Sequence, residues 1–129
     1  GDGTLWDDPD FRKRVAAIEV QLKALEITQL RVVAAAARQK ASGKPDPASS
    51  ILKIKGSELQ QATTELLKDI AGPYALPLTD PDELSNAPPV GPEWAATAAP
   101  VYFNTRKVSI YGGSNEIQRN IIAKAFLGL

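Results

Sequence analysis

Tyr111-Gly112-Gly113-Ser114-Asn115-Glu116 is the stretch of this chain whose residue types and spacing could do chemistry. Two glycines and a serine at a helix start let backbone N–H groups converge on an anion, and the positive end of the helix dipole adds a favourable field. Phosphate is a plausible ligand for such a turn. An ordinary turn with a serine cap has the same pattern and is the more frequent explanation, so the stretch alone leaves both readings open. The chain has no Cys and no His. That removes disulfides, thiolate chemistry, and the commonest general base and metal ligand. No metal site is expected, and any acid/base work falls to Asp, Glu, Lys or Tyr.

With 129 residues the chain has the size of one domain. Fifteen basic residues balance fifteen acidic ones, so no global field attracts nucleic acid or an anionic membrane surface. No apolar run approaches the roughly 20 residues that span a bilayer. The first residues, GDGTLWDDPD, are acidic where a signal peptide is basic. The chain therefore reads as soluble and cytoplasmic, without membrane insertion. It contains no Met and opens on a polar stretch that leads straight into a helix, so Gly1 is expected to be internal to a longer protein or left by processing.

The elements that must position the turn are helical. Asp8-Pro9 is a helix start, because the carboxylate can cap free N–H groups and proline fits the first helical position. Phe11, Val15, Ile18, Leu22, Leu25, Val32 and Ala36 then recur at helical steps, with Gln29 the one polar interruption. Ala16, Val20 and Ile27 form a second apolar line, which predicts neighbours on two sides. Ser42, Gly43, Lys44 and Pro45 should end this helix, giving residues 9–42 a length of about 50 Å. Asp46-Pro47 repeats the start signal, and Leu52, Leu59, Ala62, Leu66 and Ile70 carry a second stripe that stops at Gly72 and Pro73. The short link predicts antiparallel packing. Gly56 inside this helix points to close helix packing more readily than to a ligand.

Residues 73–92 hold six of the ten prolines and read as a long loop. Glu93 to about Lys107 predicts two short helical pieces or a kink at Pro100. The last helix should follow a Ser114 cap, turn Ile117, Ile121, Ile122 and Ala125 inward, and close at Gly128. No repeat and no alternating stretch supports a sheet. The fold class is all-α, an antiparallel helical bundle.

The order of residues from Arg106 to Lys124 is more specific than the composition. Ile110-Tyr111-Gly112-Gly113-Ser114, two residues, and Ile117-Gln118-Arg119, followed by an apolar helix that ends at Leu127-Gly128, resembles the terminal signature of acyl-CoA dehydrogenases. The two long helices occupy the place of that family's carboxy-terminal bundle. The resemblance thus covers nearly the whole chain, with motif-level detail in its last quarter. It implies that residues 1–129 are the carboxy-terminal helical domain of a longer protein, with one helix of the full bundle missing at the amino end.

Proteins of that family combine this domain with an amino-terminal helical domain and a β-domain, as homo- or hetero-tetramers of family subunits, and hold FAD between domains and across a subunit contact. The resemblance implies α-proton abstraction from an acyl-CoA substrate, β-hydride transfer to the flavin, a 2,3-enoyl-CoA product, and electron transfer to an electron-transfer flavoprotein. Carried over by position, Gly113 and Ser114 approach the FAD pyrophosphate and Glu116 the adenosine end, while Tyr111 and Gly112 line the acyl-thioester pocket. Ser114 as a plain cap and Glu116 as a favourable charge in the first helical turn are compatible with those roles. Arg119 is expected to be structural, paired with a carboxylate.

Two departures from the family pattern matter. The residue after the motif tyrosine is the catalytic Glu in many members, and here it is Gly112, so no catalytic residue is expected within this chain. At the end of the second helix the family often has Gln-X-Leu-Gly-Gly, with FAD contacts from a neighbouring subunit. This chain has Asp69-Ile70-Ala71-Gly72-Pro73. Three readings follow: part of an FAD-dependent acyl-CoA dehydrogenase whose base lies elsewhere, inactive alone; a non-catalytic assembly or half-site subunit of a heteromer; or a generic helical interaction bundle.

Overall fold

The computed structural model describes residues 3–38, 46–77 and 90–128. Among them the chain is helical and contains no strand. The first long helix, α1, runs Pro9–Arg38. Its start is built as the Asp-Pro pair demands, with Asp8 Oδ1 accepting from the Asp10 N–H at 2.9 Å. The expected end at Ser42 to Pro45 lies outside the described residues. The second helix, α2, runs Ala48–Ala71. Asp46 Oδ1 accepts from the Ala48 N–H at 2.9 Å, and Gly72 caps the other end.

These two helices are antiparallel. Arg14 near the start of α1 meets Asp69 near the end of α2, Leu25 and Thr28 share a cleft with Ile51 and Leu59, and Arg38 approaches Asp46 and Ala48. On α1, Phe11, Val15, Ile18, Leu25 and Val32 are half-buried on the α2 side as expected, whereas Leu22 and Ala36 are exposed. The second line on α1 has no neighbour here: Ala16 is exposed, Val20 is 69% exposed and Ile27 50%. Periodicity located an apolar face correctly, but among the described residues nothing covers it, and α1 contains no buried residue.

The α2 helix is central because it packs against α1 on one side and against α3 and α4 on another. Leu59 and Ala62 face α1. Ser50, Ile54, Ser57, Leu66 and Ala71 are buried, the serines and Ala71 on the side where the rest of the chain packs. A Cβ on Gly56 would meet nothing within 4 Å, so close packing within this chain is not the reason for that glycine.

After α2, a 3-10 turn over Gly72–Ala75 packs against a second one over Glu93–Thr97. Ala71, Ala75, Ala95 and Ala98 make the buried cluster there, with Leu67 and Ala99 against it. Small side chains let four backbone segments approach closely. Residues 78–89 of the expected loop 73–92 lie outside the described residues. Helix α3, Ala98–Thr105, has Pro100 at its third position, where no helical carbonyl awaits an N–H. The segment is thus two short helical pieces, as expected, the tighter 3-10 turn Glu93–Thr97 widening into α3. A further 3-10 turn, Arg106–Ser109, leads to the glycine turn and to α4, Asn115–Ile122. A wider π turn, Ala123–Leu127, then ends at Gly128.

The face of α4 differs from expectation. Ile117 is 52% exposed, Ile121 and Ala125 are exposed, and Ile122 is half-buried. The residue that goes inward is Asn115, 8% exposed. A polar residue wins the inner position because α2 presents polar partners to it.

Candidate functional site

The glycine turn is held in place from α2. Lys53 Nζ donates to the Ser109 carbonyl at 2.7 Å and to Asn115 Oδ1 at 2.7 Å. Asn115 Nδ2 donates to Ser57 Oγ at 3.2 Å, and Ser57 in turn donates to the Ile54 carbonyl at 2.8 Å. The last residue before the turn and the first residue of α4 are thus fixed to one helix. One turn along, Gln61 and Arg106 bond reciprocally, Gln61 Nε2 to the Arg106 carbonyl at 3.0 Å and Arg106 Nη2 to the Gln61 carbonyl at 2.8 Å. The Arg106 guanidinium lies 4.3 Å from the Tyr102 ring centre, a stacked cation–π arrangement.

Within the turn, Gly112 has φ +61° and Gly113 φ +84°, both in the left-handed region that favours glycine. Gln118 Nε2 donates to the Gly112 carbonyl at 3.0 Å, and a Cβ on Gly113 would lie 2.9 Å from that same amide. Ser114 caps α4, its hydroxyl oxygen accepting the Ile117 N–H at 3.5 Å. The N–H groups of Ser114, Asn115 and Glu116 have no helical carbonyl one turn back to receive them. A bare glycine edge beside the helix-start N–H groups of Ser114 and Asn115 is chemistry that fits a phosphate group; the Glu116 N–H is engaged by its own carboxylate.

Glu116 is exposed. The Ser114 hydroxyl and its own backbone N–H hold its carboxyl below the ordinary range, with Arg119 and Lys53 adding positive charge. It is therefore ionised at neutral pH and already draws on the positive end of α4. Tyr111 is exposed at the crest of the turn, with Lys107 Nζ 5.7 Å from its ring centre. The five residues singled out in sequence, Tyr111, Gly112, Gly113, Ser114 and Glu116, are thus contiguous on one exposed turn. Arg119 Nη2 lies 3.4 Å from Glu58 Oε1 of α2, the carboxylate pairing expected of it.

Residues 1–127 match the acyl-CoA dehydrogenase C-terminal domain family. The chain belongs to the acyl-CoA dehydrogenase family. It is 31% identical over 123 residues to the acyl-CoA dehydrogenase IpdE1 of Mycobacterium tuberculosis, an alignment that covers 95% of this chain and 28% of that relative. No solved structure matches. The chain spans 28% of that relative's length.

The end of α2 carries a charged cluster. Asp69 Oδ1 accepts from Lys68 Nζ at 2.8 Å and Asp69 Oδ2 from Arg14 Nη2. The Lys68 ammonium first, then the Arg14 guanidinium, hold the Asp69 carboxyl below its ordinary value. The Asp69 carboxylate is engaged within its own chain, joining the end of α2 to the start of α1. No helix of the described residues is long and apolar enough to cross a membrane.

Sequence reasoning missed Lys53, Ser57, Asn115 and Gln118 as the residues that shape the turn. A signal was present: Lys53 and Ser57 stand four apart on α2, so they share one face, and that face also carries the buried Ile54 and Ser50.

Proposed function

We propose that this chain is the carboxy-terminal helical part of an FAD-dependent acyl-CoA dehydrogenase that converts acyl-CoA to 2,3-enoyl-CoA, and that it is inactive alone. The observation that carries the reading is the turn from Tyr111 to Glu116, a left-handed glycine pair heading α4 in a chain that matches the family over residues 1–127. In this reading the N–H groups of Ser114 and Asn115 hold the FAD pyrophosphate, and Gly113 keeps the approach clear of a side chain. Glu116 lies toward the adenosine end, and Tyr111 and Gly112 border the acyl thioester. When bound, the flavin supplies the acceptor for the β-hydride. Electrons would leave to an electron-transfer flavoprotein, and the working form would be a tetramer.

Removal of the α-proton of a thioester needs a positioned base. Gly112 has no side chain, and a phenol such as that of Tyr111 is a poor proton acceptor at neutral pH. Glu116 is held ionised but stands beyond the turn, in the first coil of α4. The base is therefore a carboxylate outside residues 1–129, on a preceding helix or a partner chain. In the full-length protein, Glu116→Gln should leave most of the turnover intact, while replacing that outside carboxylate should abolish turnover without loss of flavin. The opposite pattern would overturn the assignment.

Gly112 also favours a second reading, a subunit that supplies half a shared site or supports assembly without turning over substrate itself. Dehydrogenation measured with the purified full-length subunit, alone and with its partner, separates the two. Turnover by the subunit alone eliminates the second reading.

A further inference from the structure

We infer that Lys53 is a positioning residue for the phosphate-facing turn, acting through its two hydrogen bonds and its charge rather than by touching the cofactor. The inference rests on the flavoprotein reading above. The Lys53 ammonium spans the turn from behind. It donates to the Ser109 carbonyl, just before the turn, and to the Asn115 side chain, just after it, both at 2.7 Å. Asn115 is 8% exposed and is held from its other side by the buried Ser57. One α2 side chain therefore fixes the separation of the two ends of residues 110–114, whose glycines would otherwise leave that segment with wide conformational freedom.

The charge follows from the same geometry. Both acceptors of Lys53 are neutral, so its positive charge is not cancelled by the groups that hold it. Glu116 places an ionised carboxylate in the first turn of α4 and offsets the helix's attraction for an anion. Lys53, half-buried beneath the same turn, restores a positive field there, and partial burial reduces its screening by salt. Had Lys53 been a surface lysine, it would have pointed into water; here its stem follows α2 and its head ends under the turn.

The test is FAD affinity of the full-length holoenzyme, read from bound-flavin absorbance and fluorescence after dilution. Lys53→Met, which keeps the stem and removes the ammonium, should weaken FAD binding roughly tenfold or more, as expected for losing hydrogen bonds from a charged donor. Arg106→Met, which removes the guanidinium's bond to the Gln61 carbonyl and leaves Gln61 bonded to the Arg106 carbonyl, serves as a stability control. It should lower the melting temperature of the apoprotein at least as much and leave FAD affinity unchanged. If Lys53→Met does not accumulate folded, Asn115→Ser removes one acceptor with Lys53 intact and should weaken FAD binding in the same direction. Unchanged affinity in Lys53→Met, or equal losses in Lys53→Met and Arg106→Met, overturns the inference while the flavoprotein reading stands. A wild-type protein that binds no FAD overturns both.

Discussion

The Gln118 side-chain amide donates to the Gly112 carbonyl at 3.0 Å, so the glutamine of the Ile-Gln-Arg triplet reaches back and closes the turn that precedes it. The spacing between triplet and glycines is thereby a contact requirement: moving either by one residue around the helix would turn the amide away from the carbonyl.

The two glycines should respond differently to alanine. At Gly112 a Cβ meets nothing within 4 Å, so Gly112→Ala bears only the left-handed backbone strain, about 1 kcal/mol. At Gly113 a Cβ also lies 2.9 Å from Gln118 Nε2 and displaces the amide from its bond, for a total of about 2 kcal/mol. Chemical denaturation of the two variants checks the order, and equal losses would show that Gln118 does not hold the turn.

Gly56→Ala should stabilise the chain by roughly 0.5–1 kcal/mol, because the glycine is mid-helix with open space where the methyl would go. Denaturation of the 129-residue chain reads this directly. A loss in the full-length protein alongside a gain in the isolated chain would place another domain or subunit against Gly56.

Asp69→Asn should lower stability at neutral pH by up to about 1 kcal/mol, the scale of a partly exposed ion pair. The Asp69 carboxyl is held below its ordinary value of 3.8. Its contribution is therefore complete above that value and disappears as pH falls through the lower folded-state value. Melting temperatures of wild type and variant should converge on acidification below pH 3.8, and persistence of the gap there would exclude the pairing as its source.

The 129-residue chain on its own should give a helical circular dichroism spectrum and purify colourless, since in the proposed reading one turn of backbone donors cannot replace the contacts of further domains and subunits. Stoichiometric yellow flavin on this chain would contradict a site shared beyond it.

Helix starts were legible in the sequence because Asp8-Pro9 and Asp46 act locally, through their own carboxylates and a fixed backbone angle. The apolar stripe of α1 was legible for a similar reason: period reports which side of a helix is greasy. It does not report what covers that side, and so Ala16, Val20 and Ile27 were read as having a neighbour that the described residues do not supply. Ile117 and Ile121 were read as inward by the same rule, which assigns the interior to the apolar residues. Asn115 takes the inner place because Lys53 and Ser57, some 60 residues earlier, satisfy its amide. No local pattern carries that pairing. Gly113 and Ser114 were visible as a turn and cap, whereas the ties that hold the turn are long-range and polar.

Because α1 contains no buried residue and meets the rest of the chain chiefly along α2, its opening need disturb only one seam. Amide exchange should follow a hierarchy, with α2 the last to exchange and α1 able to open while the Lys53–Asn115 tie stays closed. The turn's geometry would then be insulated from loosening on the other side of α2, and a partner that grips α1 would add protection to that helix first.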